Sequence, residues 1–170
     1  DINKFSNNLM AEQLFLTLGM LNRTDPSRPA TPDDARAALR GWLAQHLGPD
    51  AAAQVVVDKG SGLSRDTRIT AGQLAILLQQ AWRSPVMSEL MSSLPASGVD
   101  GTLKRSTATG GRAHLKTGSL RDVAAQAGYV LSRSGRRYVL VALVNDEQAG
   151  RVRPALEALT QWVMDDAPAP

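Results

Sequence analysis

His114-Leu115-Lys116-Thr117-Gly118-Ser119-Leu120 is the stretch on which the reading of the whole chain turns. His114 to Thr117 has the composition of a short strand, and Gly118 is its expected end. A lysine on a strand edge can set a fixed positive charge beside a bound carboxylate. The Thr117 hydroxyl can hydrogen-bond the same group, and Gly118 leaves room for a substrate to lie against the backbone. An ordinary strand end before a turn spells the same three letters, and the tripeptide arises by chance in about one of fifty chains of this length. Its weight therefore rests on its surroundings.

Downstream, residues 127–132 and 138–144 are two apolar runs joined by Arg133-Ser134-Gly135-Arg136, the pattern of a β-hairpin. Residues 152–163 follow with Leu156, Leu159, Trp162 and Val163 on one helical face, which predicts a terminal helix laid on the sheet. The tail, 165–170, is expected to fray. Upstream the pattern is helical. Leu9, Met10, Phe15, Leu16, Leu18 and Leu21 form a broad apolar stripe. Thr31-Pro32-Asp33-Asp34 is a helix start, with a capping threonine, a proline in the first turn and acids at the positive end of the dipole; Gly48-Pro49 should stop that helix. Thr70 and Gln73 form a capping-box pattern before Leu74, Ile76, Leu77, Leu78 and Trp82, and Ser84-Pro85 opens another helix that ends before Pro95. Val55-Val56-Val57 reads as a short strand closed by Gly60 and Gly62. The expectation is an α+β chain, helical over 5–95 with a short strand near 54–58, then sheet strands and a closing helix over 112–165. Three strands make a thin sheet, which strands from another segment would complete.

Composition excludes several classes. Hydrophobic residues make up 43% of the 170, too many for a disordered chain. The 19 basic and 16 acidic residues leave a net charge of only +3. The basic clusters at 104–112 and 133–137 lack interleaved aromatics and read as solvated loop charge, so no nucleic-acid partner is expected. With no cysteine there is no disulfide, thiolate metal site or thiol nucleophile. No apolar run approaches the ~20 residues needed to cross a bilayer, and the start at Asp1 lacks a signal-peptide pattern. His46 and His114 are too far apart in sequence to point to a metal, and no cofactor is implied. Trp42, Trp82 and Trp162 fall on apolar helical faces and are expected in the core. Asp33-Asp34 and Asp165-Asp166 read as helix-end charges.

Ser6-Asn7-Asn8 fits Ser-x-Asn, in which the serine can cap a helix, or pass a proton while the Asn8 amide grips a peptide bond, and both can hold at once. Gly60-Ser61-Gly62-Leu63-Ser64-Arg65 is glycine-rich but lacks the Gly-Lys-Ser/Thr of a phosphate loop, so it reads as a tight connection.

Taken in order, these segments resemble the penicillin-recognising serine enzymes, whose signature combines Ser-x-x-Lys, a Ser-x-Asn element and Lys-Thr-Gly. Residues 6–12, 60–65, Gly98-Val99-Asp100-Gly101-Thr102-Leu103, and 116–120 followed by Ala127-Gly128-Tyr129-Val130 are similar to the class C low-molecular-mass penicillin-binding proteins, a D-alanyl-D-alanine carboxypeptidase/endopeptidase family. The resemblance runs from Ser6 to the terminal helix and implies the β-lactamase-like fold: a helical subdomain and an antiparallel sheet flanked by a C-terminal helix, with the N-terminal part missing. It implies acyl transfer through a serine ester on peptidoglycan peptides ending in D-Ala-D-Ala, with β-lactams as mimics. Ser6 would relay a proton and Asn8 would hold the peptide carbonyl. Lys116 and Thr117, beside Gly118, would bind the terminal carboxylate, and the Ser119 N–H would supply half the oxyanion hole. No serine here is followed three residues later by lysine. The expected nucleophile lies upstream of Asp1, in a missing N-terminal segment of the same protein. The chain alone is thus expected to be an inactive fragment of an extracytoplasmic or periplasmic enzyme. The alternatives are a binding or scaffold module on the same fold, or a related β-lactamase or esterase.

Overall fold

The computed structural model describes residues 1–106 and 110–166. The part of the expected tail from 167 onward, and residues 107–109 of the 104–112 basic cluster, lie outside the described residues. The chain forms two compact units. One is helical and comprises Asn7–Leu77 with Ile2; the other carries the sheet and comprises the chain from Leu78 onward with Asp1 and Asn3–Ser6.

In the helical unit, α1 (Asn8–Asn22) is capped by Asn7, whose side chain accepts the Met10 N–H at 3.0 Å. Ser6, the expected alternative cap, does not take that place. α2 (Pro32–Leu47) starts as the sequence predicts: the Thr31 hydroxyl accepts the Asp34 N–H at 3.3 Å and the Asp34 carboxylate accepts the Thr31 N–H at 2.8 Å. Gly48 ends the helix, but Pro49 opens a further short helix, α3 (Pro49–Ala53), because a proline that stops one helix suits the first turn of the next. α4 (Ala71–Trp82) begins in this unit. Thr70 and Gln73 cap each other as expected, and the buried Gln73 amide also donates to the Ala51 carbonyl at 2.8 Å. Leu43, Ala52 and Val55 form the core, packed by Leu47, Val57, Ile69 and Leu77.

Two expectations change here. Val55–57 makes a single antiparallel bridge, Val56 to Arg68, in place of a strand, since pairing stops at that one residue; Val55 is buried in the core, Val57 packs partly against it and Val56 is exposed. The apolar stripe of α1 is also narrower than its sequence. Phe15 is buried, whereas Leu9 and Leu21 are each 72% exposed. Gly60 meets that buried face: a Cβ there would collide with the Phe15 side chain, so only glycine permits the approach.

In the sheet unit, α5 (Met87–Ser93) precedes three antiparallel strands, β1 (Ala113–Leu120), β2 (Val123–Leu131) and β3 (Arg137–Asn145), in the order β1-β2-β3. β1 runs past Gly118 to Leu120, where Leu120 pairs with Val123 across the Arg121-Asp122 turn; ladder bonds from β2 carry the glycine. The β2–β3 hairpin turns at 132–136, with Ser132 N–H donating to the Arg136 carbonyl at 2.8 Å. α6 (Arg153–Met164) covers one sheet face, where Ala113, Leu115, Val130, Leu140 and Met164 form the core. Buried Gln126 crosses to it, donating to Thr160 Oγ1 at 3.0 Å. By the two-residue alternation of strands, His114, Lys116 and Tyr129 lie on the opposite face.

The three tryptophans are not core residues. Trp162 is 73% exposed because α6 turns Leu156, Thr160, Val163 and Met164 toward the sheet, which leaves Leu159 and Trp162 on another stripe. Trp82 is 41% exposed, with the Tyr129 ring tilted beside it and the Arg137 guanidinium 4.9 Å above its centroid. Trp42 stacks on His46 at a centroid distance of 4.1 Å and stays partly exposed.

Candidate active site

β1 is an edge strand, and its edge has direction. The Leu115 N–H donates to the Pro95 carbonyl at 3.1 Å and the Ala113 carbonyl accepts the Ser97 N–H at 2.9 Å, both away from β2. Backbone groups alternate along a strand, so the N–H and C=O of Thr117 and Ser119 also point outward along this edge. Sequence periodicity alone does not reveal this. An outward N–H at Ser119 is a donor on the solvent side of an exposed residue, as an oxyanion contact requires.

Lys116 is half-buried and its Nζ donates to Ser6 Oγ at 2.5 Å and to the Thr117 carbonyl at 2.5 Å. Residues 110 positions apart in sequence are thus joined by one contact. Burial pulls the Lys116 ammonium below the ordinary lysine pKa. A lysine held this way is a charge with little water around it, and an incoming carboxylate would meet it at reduced desolvation cost. Thr117 Oγ1 lies 3.3 Å from Thr102 Oγ1, so two hydroxyls stand together beside the ammonium's strand. Gly118 and Ser119 are exposed on the same strand.

Ser6 itself adopts φ +55°, uncommon for a residue with a Cβ. The Ser-x-Asn element is divided between the units. Ser6 stands in the sheet unit with Lys116, while Asn7 caps α1 and Asn8 is its exposed first residue in the helical unit. Ser6, Lys116 and Thr117 are therefore brought together around one edge, with Gly118 and Ser119 next along it.

The structure also places residues there that carried no role in the sequence reading. Lys4, two positions before Ser6, pairs with Asp100 at 2.7 Å, and Thr102 stands against Thr117. Gly98-Val99-Asp100-Gly101-Thr102-Leu103 stood out as a phrase, but nothing in its composition says what it touches. His114, two residues before Lys116, is partly buried. Burial lowers its pKa, the charges of Lys4 and Arg137 lower it further, and the Met91 carbonyl and Asp100 oppose them. Its Nδ1 meets no hydrogen-bond partner among the described residues. Among the described residues no group of acids, histidines or cysteines is arranged to hold a metal.

The model of the D-Ala-D-Ala carboxypeptidase 3 (S13) family matches residues 1–164. The chain belongs to that family. A D-alanyl-D-alanine carboxypeptidase of Actinomadura sp. is 36% identical over 155 residues, covering 86% of this chain and 27% of the relative. Carboxypeptidase DacB of Mycolicibacterium smegmatis is 32% identical over 163 residues, covering 91% of this chain and 34% of its own length. The S13 chain thus spans about a third of the curated relatives it matches. Penicillin binding protein 4 of Haemophilus influenzae, solved with a β-lactam, superposes with a TM-score of 0.79 at 24% identity, over 95% of this chain and 38% of that one. A predatory endopeptidase of Bdellovibrio bacteriovorus, in complex with an immunity protein, gives a TM-score of 0.77 at 18% identity, over 99% of this chain and 42% of its own. The α+β fold expected from sequence, helices with an antiparallel sheet and a closing helix, is that of these solved structures.

Proposed function

We propose that this chain supplies the carboxylate-binding and proton-relay side of a serine D-Ala-D-Ala peptidase acting on peptidoglycan peptides, and that the nucleophile lies in the remainder of a longer protein. The observation that carries the reading is the Lys116 Nζ–Ser6 Oγ contact on the open edge of β1. Membership of the S13 family supports the reaction class. The absence of any Ser-x-x-Lys in the sequence supports placing the nucleophile elsewhere.

In this scheme the substrate's terminal carboxylate meets Lys116 and the Thr117 hydroxyl. The nucleophilic serine attacks the carbonyl carbon between the two D-alanines. Its oxygen forms an ester, the carbon–nitrogen bond breaks, and the serine's proton passes through the Ser6 hydroxyl to the leaving amine of the terminal D-alanine. Water then hydrolyses the ester. The outward N–H of Ser119 would donate to the oxyanion, and one such donor contributes about 2.7–4 kcal/mol to the transition state. A penicillin offers the same carboxylate and a strained amide, so it would acylate the same serine. The substrate class places the work outside the cytoplasmic membrane; no described helix is long and apolar enough to cross one.

Labelling with a fluorescent penicillin tests the proposal, using the whole protein beside this 170-residue chain. A covalent adduct on the whole protein and none on the chain is expected. No adduct on the whole protein would favour a binding module on the same fold. Rapid loss of the label by hydrolysis would favour a β-lactamase, and an adduct on the chain alone would overturn the placement of the nucleophile.

A further inference from the structure

We propose that Asp100, Gly101 and Thr102 form a clip whose work is to hold Ser6 against Lys116, which makes Asp100 a positioning residue for the proton relay. The proposal rests on the roles given to Ser6 and Lys116 above.

The three consecutive residues grip one target, Lys4, in three ways. The Asp100 carboxylate pairs with the Lys4 ammonium at 2.7 Å. The Thr102 N–H donates to the Lys4 carbonyl at 3.1 Å. Between them Gly101, at φ +55°, lets that carbonyl in, because a Cβ at this position would collide with the Lys4 oxygen. The clip is itself anchored to the strand that bears Lys116. The second Asp100 oxygen accepts the Ala96 N–H at 2.8 Å, and Ala96 forms a bridge with His114 on β1. Pro95 and Ser97 on either side bond Leu115 and Ala113, and Thr102 Oγ1 stands 3.3 Å from Thr117 Oγ1. A closed path therefore runs from Ser6 through Lys4, the clip and β1 back to Lys116.

That path answers a need. Ser6 occupies the left-handed region, which a serine keeps only when its surroundings fix it. The local bonds of the segment, Phe5 N–H to the Asp1 carbonyl at 3.1 Å and Ser6 N–H to the Asn3 carbonyl at 3.4 Å, bind it only to itself. Asn3 adds one tie, donating to Ser93 Oγ at 2.9 Å. An isolated surface ion pair does little structural work, but here the lysine side chain is only 18% exposed, and its backbone is gripped as well.

The test compares Asp100→Asn with the parent in the whole protein. Asparagine keeps an acceptor for the Ala96 N–H, while the oxygen that accepts from Lys4 becomes an uncharged amide donor, so the Lys4 contact is lost. Two measurements are made: hydrogen exchange of the Phe5 and Ser6 amides, and the rate of penicillin acylation alone and in a Ser6→Ala background. Exchange at Phe5 and Ser6 should quicken by about tenfold while β2 and α6 stay protected. Acylation should fall about tenfold in the parent, and less than about twofold further once Ser6 is alanine. Lys4→Met should reproduce the local exchange change. Unchanged exchange at 3–6, a rise throughout the sheet, or an equal acylation loss with and without the Ser6 hydroxyl would each overturn the clip. If the parent protein takes no penicillin, the activity proposal fails and the clip is judged on the exchange result alone.

Discussion

Replacing Lys116 with methionine separates function from stability. Methionine keeps most of the side chain's length and apolar stem, so the packing beside β1 is retained and only the charged Nζ goes. Two hydrogen bonds are lost in the fold, to Ser6 Oγ and to the Thr117 carbonyl. Set against them is the relief of a half-buried charge, whose cost to the fold is visible in the depressed lysine pKa. A hydrogen bond involving a charged group contributes about 1.5–3 kcal/mol. Desolvation offsets the same quantity with the opposite sign, so the net change in unfolding free energy should stay within about 2 kcal/mol. Acylation has no such offset. On the roles proposed above, the substrate carboxylate would lose its charged partner and Ser6 its orientation. Two contributions of about 1.5–3 kcal/mol each lower the rate by roughly 10²–10⁴. The assay is penicillin acylation of the whole protein with urea unfolding of the same variant. Acylation within about threefold of the parent would refute the role of Lys116. A stability loss above about 4 kcal/mol would show that Lys116 is a structural residue and that the activity loss follows from unfolding.

Two further outcomes follow from the structure. His114 has a folded pKa below its ordinary 6.5, with burial the largest cause; Lys4 and Arg137 lower it further, and the Met91 carbonyl and Asp100 oppose them. The unfolded chain therefore takes up a proton first as pH falls below about 6.5, and stability should decline in that window. His114→Gln should flatten the decline in pH-dependent urea midpoints, and an unflattened curve would assign it to other groups. Thr31→Ala removes one arm of the capping box on α2 and should cost about 1 kcal/mol by the same unfolding assay; a change below about 0.2 kcal/mol would mean that Asp34 caps the helix without it.

Local chemistry was the legible part of this chain. Thr31 with Asp34 and Thr70 with Gln73 start their helices as their side chains require, because a cap is decided within four residues. The 133–136 turn was legible for the same reason. Lys116 and Ser6 could be singled out as residues, but their meeting is a contact across 110 positions that no local pattern encodes. The tryptophans were misread because an apolar helical stripe states what could be buried and not which part of it the sheet takes; on α6 the sheet took Thr160 and left Trp162. Asp100 carried no local signal, since an acid before glycine is an ordinary turn until its lysine, 96 residues away, is placed beside it.

The outer strand of the sheet has a consequence for assembly. Among the described residues β3 is hydrogen-bonded on one side only, to β2. Its sequence, Arg137-Tyr138-Val139-Leu140-Val141-Ala142-Leu143-Val144-Asn145, has no proline and no charge after its first residue. Such an edge is a template for another strand. The free side of β3 is therefore where a further strand, from the rest of a longer protein or from a second copy, would add to the sheet.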